Sequence, residues 1–213
     1  LIRSLSYAGK TMRKGQPVSN HHSQKSKGEV RIIAGQWRGR KLPVLNSQGL
    51  RPTTDRIKET LFNWLMPYIA GARCLDCFAG SGSLGFEALS RQAQTVQFFE
   101  LDKTAAKQLQ QNLERLNCQN GTVHQGNTLQ LLSNGNSQPP FELPFDIVFV
   151  DPPFQQQLIA PTIELLVHHH WVAQGGLIYI ESEKQLGEIA VPPEWRLLKE
   201  KIGGEVCFRL YQN

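Results

Sequence analysis

Two short stretches carry residue types and spacings that can do chemistry. The first, Asp151-Pro152-Pro153-Phe154, follows the apolar run FDIVFV. A strand running into it sets a carboxylate at the carboxyl edge of a sheet, where open α/β folds hold their ligands. The two prolines stiffen the backbone and aim the Pro152 carbonyl. A carboxylate and a carbonyl fixed side by side accept both hydrogens of a planar exocyclic amine, and Phe154 offers a stacking face for the attached ring. The tetrapeptide therefore reads an amino group on a base. A stiff turn between strand and helix is the bland alternative.

The second stretch is LDCFAGSGSLG, Leu75 to Gly85. Gly80, Gly82 and Gly85 satisfy G-x-G-x-x-G between an expected strand and an expected helix, where bare backbone can approach a nucleotide-like ligand. Glu100 closes the next strand and is placed to accept hydrogen bonds from ribose hydroxyls. A nicotinamide dinucleotide is the rival ligand. Asp76 argues against it, because a carboxylate four residues before Gly80 repels a pyrophosphate and welcomes a nucleoside that bears a cationic amine. Cys74 and Cys77 form C-x-x-C without a second pair, inside an apolar strand, and read as core. His168, His169 and His170 read as a partly solvated helix end, and no metal site is expected.

The elements that must hold these stretches follow from periodicity. VRII and KLPVL are two short strands around AGQWRGR. Ile57, Leu61 and Leu65, with Lys58, Glu59 and Asn63 between them, predict an amphipathic helix capped by Thr54 and ended by Pro67. Strand and helix then alternate: ARCLDCF, SLGFEALSR, TVQFFE, KTAAKQLQQNLERLN, GTVHQ, TLQLLS, FDIVFV, IAPTIELLVHH with Pro161 interrupting it, and GGLIYIES. Such repetition predicts a parallel sheet covered by helices. WRLLKEKI and EVCFRLY, joined by Gly203-Gly204, predict a closing antiparallel hairpin. Ser133 to Pro144 is a low-complexity loop.

The 213 residues carry a net charge of +5, unevenly spread. Residues 1–60 hold 13 Lys/Arg against 3 Asp/Glu, a net of +10, and the remaining 153 hold 10 against 15, a net of −5. A basic arm on an acidic body points to a polyanion met by the arm, with a solvated tail as the alternative. Residues 1–28 are too polar to repay their ordering entropy and are expected to be disordered. The first methionine is Met12, which leaves residues 1–11 open between an extended start and an added leader. Residues 29–50 are expected to form a basic β-hairpin extension, in which Arg31, Trp37, Arg38, Arg40 and Lys41 are the candidate polyanion-binding residues, and residues 51–213 the main domain. No run reaches the roughly 18 apolar residues of a membrane helix. Four cysteines do not make a disulfide scaffold in a chain of this length. Membrane insertion and secretion are not expected, and the setting reads as cytoplasmic.

Together the glycine turn and the Asp-Pro-Pro-Phe corner are hallmarks of S-adenosylmethionine-dependent methyltransferases acting on nucleobase amines. RPTTDRIKETLFNWL, LDCFAGSGSLGFEALSR, FFELDK, FDIVFVDPPF and GGEVCFRLYQ resemble, in order and spacing, the RsmD-type bacterial 16S ribosomal RNA guanine-N2 methyltransferases, from about Gly28 to Tyr211. RPTTDR with DPPF is the specific part. The resemblance implies a Rossmann-like class I methyltransferase fold, α/β, with a seven-stranded, mostly parallel sheet and a C-terminal antiparallel hairpin. It implies that S-adenosylmethionine is held by Asp76, Phe78, Ala79, Gly80, Ser81, Gly82 and Glu100, with Arg51, Thr53 and Thr54 near its methionine end. It implies that Asp151, Pro152, Pro153 and Phe154 hold the target guanine, and that the partner is 16S rRNA in a partly or fully assembled small subunit. One position departs from the common pattern: Asn127 stands where an acid often meets the adenine ring, and an amide can still hydrogen-bond the adenine amine through its oxygen. A DNA adenine-N6 methyltransferase and a nucleotide-sensing or RNA-binding module without catalysis are the competing readings.

Overall fold

The computed structural model describes residues 28–44, 54–134 and 144–213. The expected disorder before Gly28, the roles given to Arg51 and Thr53, and most of the Ser133–Pro144 loop lie outside the described residues. Nine strands and five α-helices are described. In chain order they are β1 (Gly28–Arg31), β2 (Lys41–Val44), α1 (Asp55–Leu65), β3 (Arg73–Asp76), α2 (Ser83–Ser90), β4 (Thr95–Glu100), α3 (Lys103–Arg115), β5 (Gly121–Gln125), α4 (Thr128–Ser133), β6 (Phe145–Val150), α5 (Ile159–His168), β7 (Val172–Glu183), β8 (Arg196–Gly203) and β9 (Val206–Gln212).

Seven strands form one sheet in the order β5-β4-β3-β6-β7-β9-β8. The first five in that order pair in parallel, whereas β9 runs antiparallel to both β7 and β8. The chain winds outward from β3 through β4 to β5, then crosses back to β6 on the other side of β3. The strand order thus reverses between β3 and β6, and a crevice opens outside the carboxyl ends of those two strands.

Strand alternation divides the core between the two sheet faces. Phe98, Phe149, Tyr179 and Phe208 pack on one face with Leu61, Phe62 and Phe86. Phe99, Val150 and Ile180 pack on the other with Ile163, Leu166 and Trp171. Cys74 and Cys77 belong to opposite clusters, so C-x-x-C at this position cannot converge on one atom. Burial pushes both thiols up, away from the reactive thiolate.

The β1/β2 hairpin shares the first core, with Val30, Ile32 and Leu42 buried beside α1. Its connecting loop is bolted to α2. Glu87, fully buried, accepts hydrogen bonds from the backbone N–H of Ile33 and Ala34 and from Arg91 Nε. Ser90 Oγ donates to the Ala34 carbonyl and accepts from the Trp37 N–H. Gly35 passes so close that a Cβ on it would lie 1.9 Å from the Ser90 carbonyl oxygen, and its φ of +81° suits glycine.

Three local expectations shift. Lys58, placed by periodicity among the polar residues of α1, is buried, with Nζ donating to the Arg31 carbonyl at 2.5 Å and lying 3.8 Å from Glu87. The hairpin docks on that flank of α1 and covers it. Pro161 does not interrupt α5, because it is the third residue of a continuous helix, where a missing N–H costs no intrahelical bond. In the closing hairpin Gly203 pairs with Val206, so the two loop residues are Gly204 and Glu205, one position later than expected. Gly204 takes the positive-φ first loop position, at +67°. Thr54 caps α1 as expected, accepting from the Ile57 N–H. Among the described residues no helix is long and apolar enough to cross a membrane.

Candidate active site

A cavity of about 560 Å³ occupies the crevice, within the range typical of small-molecule clefts. Its walls come from the glycine turn (Asp76, Phe78, Ala79, Gly80, Ser81), from the end of β4 (Glu100), from Asn127, and from all four residues of Asp151-Pro152-Pro153-Phe154. Two motifs separated by about 75 residues in sequence therefore share one enclosure. The hairpin contributes Gly28, Glu29, Val30 and Val44 to the wall.

Each glycine of the turn has its own reason. Gly80 donates its N–H to Glu100 Oε2 at 2.7 Å, so the turn is clipped to the end of β4. Gly82 caps α2 in the left-handed region and does not line the cavity, since Phe86 and Leu109 fill the space beside it. Gly85 lets α2 press on the sheet, because a Cβ there would fall 2.1 Å from Phe98 Cε1. Ligand approach falls to the first glycine, and packing explains the other two.

Asp76 is 2% exposed; its Oδ2 accepts from the Gly85 N–H at 3.2 Å, whereas Oδ1 is buried without a hydrogen-bond partner. Ser83 Oγ, on the same wall, is the other buried side-chain atom in that condition among the described residues. Burial pushes the Asp76 carboxyl up to about 7, the Glu100 charge adds to the rise, and N–H donors oppose it. Glu100 is raised by burial too, against the N–H groups of Asp102 and Gly80. An acceptor and a hydroxyl buried in want of partners fit a cationic amine, which brings donors and a positive charge together.

The charge of the wall is one-sided. Glu29, Asp76, Glu100, Asp102, Asp151 and Glu181 line it, and among the described residues no Lys or Arg does. A pyrophosphate would find no countercharge among these described wall residues. The dinucleotide alternative loses its electrostatic basis on this wall.

Other candidates stand differently. Asn127 caps α4, its Oδ1 accepting from the N–H groups of Leu129 and Gln130. That oxygen has both lone pairs engaged, so the group it can turn to a ring is the amide NH₂, as donor. Thr54 serves α1 and is not on the wall. Arg31, Trp37, Arg38, Arg40 and Lys41 also lie off the wall, on the hairpin and its loop. Arg31 pairs with Asp55 at 3.3 Å and Lys41 with Glu29 at 3.1 Å, while Arg38 and Arg40 are exposed. Trp37 is half-buried against the core.

Several wall residues escaped the sequence reading. Ser83 looks like any helix-start serine. Leu101, 63% exposed directly after Glu100, is an apolar side chain held in the open at the cavity rim, and an apolar residue after a strand-ending acid was the available signal. Thr128 Oγ1 donates to the Cys77 carbonyl and ties α4 to the end of β3. Glu181 had no local signal inside the apolar β7. Glu183 accepts from the Gln155 N–H, just past the proline corner, where Gln155 and Gln157 both hold positive φ. Among the described residues no group of three or more His, Cys, Asp or Glu is arranged to hold a metal ion.

The family model described as Conserved hypothetical protein 95 matches residues 30–212. Ribosomal RNA small subunit methyltransferase D of Haemophilus influenzae is 58% identical over 190 residues, covering 88% of this chain and 96% of that protein. The protein of the same name in Escherichia coli K12 is 52% identical over 186 residues, covering 87% and 91%. The solved structure of Escherichia coli yhhF is 49% identical, with a TM-score of 0.79 over 87% of this chain and 98% of that one. The likeness in fold extends to far more distant methyltransferase structures.

Proposed function

Because the chain belongs to the RsmD-type family of ribosomal RNA small subunit methyltransferases, we propose that it methylates the exocyclic N2 amine of a guanine in 16S ribosomal RNA. S-adenosylmethionine is the proposed donor and S-adenosylhomocysteine the product. The observation that carries this reading is that the glycine turn and Asp151-Pro152-Pro153-Phe154 line the same cavity.

Bound S-adenosylmethionine supplies a methyl group already made electrophilic by the sulfonium, so the chemistry asked of the chain is positioning. Asp76 Oδ1 and Ser83 Oγ take the ammonium donors of the methionine end. Glu100 takes the ribose hydroxyls, the Asn127 amide donates to the adenine ring, and Leu101 covers that ring's face. Asp151 and the Pro152 carbonyl accept the two N2 hydrogens of the guanine while Phe154 stacks on its ring. Free guanine spreads the N2 lone pair into the ring. Holding both hydrogens localises that pair and points it across the cavity, so orientation and electrostatics account for most of the rate. The N–C bond forms as the bond from the methyl to sulfur breaks, its electron pair staying on sulfur to leave the neutral thioether product, and N2, which gains the positive charge, releases one proton to Asp151 or to water.

A paired guanine cannot reach this crevice, so the target nucleotide must be unpaired or flipped out. The exposed Arg38 and Arg40, with Arg31 and Lys41 beside them, then hold phosphates outside the cavity, with an affinity that falls as salt rises. The proposed partner is 16S rRNA within a partly or fully assembled small subunit, in the cytoplasm. Incubation with methyl-labelled S-adenosylmethionine and small subunits or their rRNA, followed by nucleoside analysis, tests the reading. Labelled N2-methylguanine is expected. Labelled N6-methyladenine without it would reject the reading in favour of an adenine methyltransferase.

A further inference from the structure

A second carboxylate stands beside Asp151, and its position bears on which base the site accepts. Strands β6 and β7 pair in parallel with Val150 opposite Ile180, so Asp151, the first residue past β6, follows beside Glu181 of β7. Phe149 and Tyr179, two residues earlier in each strand, lie on one sheet face with their rings 6.4 Å apart. The two-residue alternation carries Asp151 and Glu181 to that same face, and both line the cavity. Glu181 is 5% exposed, and its Oε2 accepts a 2.8 Å hydrogen bond from the Tyr179 hydroxyl. The Tyr179 hydroxyl is held well above its usual range first by burial, then by the charges of Glu181 and Asp151, which places all three groups in one electrostatic neighbourhood.

Resting on the guanine-N2 reading above, we propose that Glu181 is a specificity residue that accepts the ring N1–H of the target guanine while Asp151 and the Pro152 carbonyl hold its N2 amine. Tyr179 is the positioning residue that fixes the glutamate head. The order of donors and acceptors along the base edge makes the distinction. Three RNA bases carry an exocyclic amine. In adenine and cytosine the one ring nitrogen next to the amine-bearing carbon is an acceptor, whereas the guanine amine is flanked by the N1–H donor on its Watson–Crick side and by the N3 acceptor on the other. Paired carboxylates demand donors at both positions, and only guanine has them. Adenine or cytosine would set a lone pair against a buried carboxylate, the kind of mismatch that a site built for hydrogen bonding rejects most strongly.

The test replaces the methylated guanine, in an RNA the wild-type protein methylates, with 2-aminopurine, which keeps the 2-amine and has a bare N1. Wild-type kcat/KM is expected to fall on the order of 100-fold or more for the 2-aminopurine RNA. In Glu181→Gln the side-chain amide can donate to that bare N1, so the guanine to 2-aminopurine ratio should drop at least about tenfold from the wild-type ratio. The missing O6 of 2-aminopurine affects both proteins alike and cancels in this comparison. Tyr179→Phe should lower the same ratio several-fold, and it carries the test if Glu181→Gln does not fold. Cofactor affinity by calorimetry should stay within about twofold of wild type in both variants. A ratio unchanged by either folded variant overturns the role of Glu181. Absence of N2-methylguanine from the wild-type reaction on the guanine RNA instead overturns the reading on which it rests.

Discussion

Asp76 and Asp151, the two acids that anchor the two motifs, stand at the carboxyl ends of neighbouring parallel strands, Asp76 as the last residue of β3 and Asp151 as the first past β6. The N–H of Cys77, one residue past Asp76, donates at 3.0 Å to the carbonyl of Phe149, two residues before Asp151. The backbone ladder itself thus sets the offset between the glycine turn and the proline corner. No flexible segment intervenes, which suits a reaction in which a misplacement of about 1 Å costs roughly 100-fold in rate.

Replacing Asp151 with Ala should remove the acceptor that localises the proposed nucleophile. Single-turnover methylation is expected to slow by roughly 100-fold to 1,000-fold, with cofactor affinity by calorimetry close to wild type. A parallel loss of cofactor binding would show that the residue serves the other end of the cavity.

The Asp76 carboxyl, pushed up to about 7 by burial, is protonated in much of the unliganded protein near neutrality. A neutral acid attracts an ammonium weakly, so cofactor affinity should rise as pH climbs from 6 toward 7.5. Asp76→Asn should flatten that profile and weaken binding throughout. Stability runs the other way. The folded value lies above the unfolded one, so the Asp76 contribution is fully present below about 4 and is lost as pH rises through about 7. Without ligand, Asp76→Asn should therefore melt above wild type at pH 8 and show no such gain at pH 4, by calorimetric scanning.

Arg38→Ala combined with Arg40→Ala removes two exposed cations from the hairpin loop. RNA affinity should fall and the slope of log K against log salt should flatten by about 0.7–0.9 for each phosphate that is no longer neutralised. Cofactor affinity should be unchanged, since neither residue lines the cavity.

Glu87→Ala strips the buried partner from Lys58 and Arg91 and leaves two hairpin N–H groups unsatisfied. A decrease of about 3–5 kcal/mol in the free energy of denaturant unfolding is expected. Because Gly28, Glu29, Val30 and Val44 of the hairpin wall the cavity, cofactor binding should weaken too, although Glu87 touches no part of it.

The parallel sheet, the closing antiparallel pair and both motifs were legible because each rests on local signals: apolar runs of strand length, glycines at a strand-to-helix turn, prolines after an acid. The sequence assigned the glycine turn to the cofactor and the Asp-Pro-Pro-Phe corner to the target base, and the strand crossing between β3 and β6 is what brings them together. Residues whose role depends on what covers them were not legible. Lys58 reads as a surface lysine until the β1/β2 hairpin closes over it. Glu181 interrupts an apolar strand with no cue that Tyr179 and Asp151 share its face. Gly203 and Gly204 placed the turn one residue too early, because cross-strand pairing of Gly203 with Val206 makes Gly204 and Glu205 the loop.

The carboxyls of the described wall have a consequence for the crowded solution around the protein. Among the described residues the titratable groups lining the cavity are all acidic, so phosphorylated metabolites, however close to adenosine in shape, gain no attraction from them. Sulfonium and amine-bearing nucleosides bring a positive charge to those carboxyls and are the compounds to screen first as inhibitors.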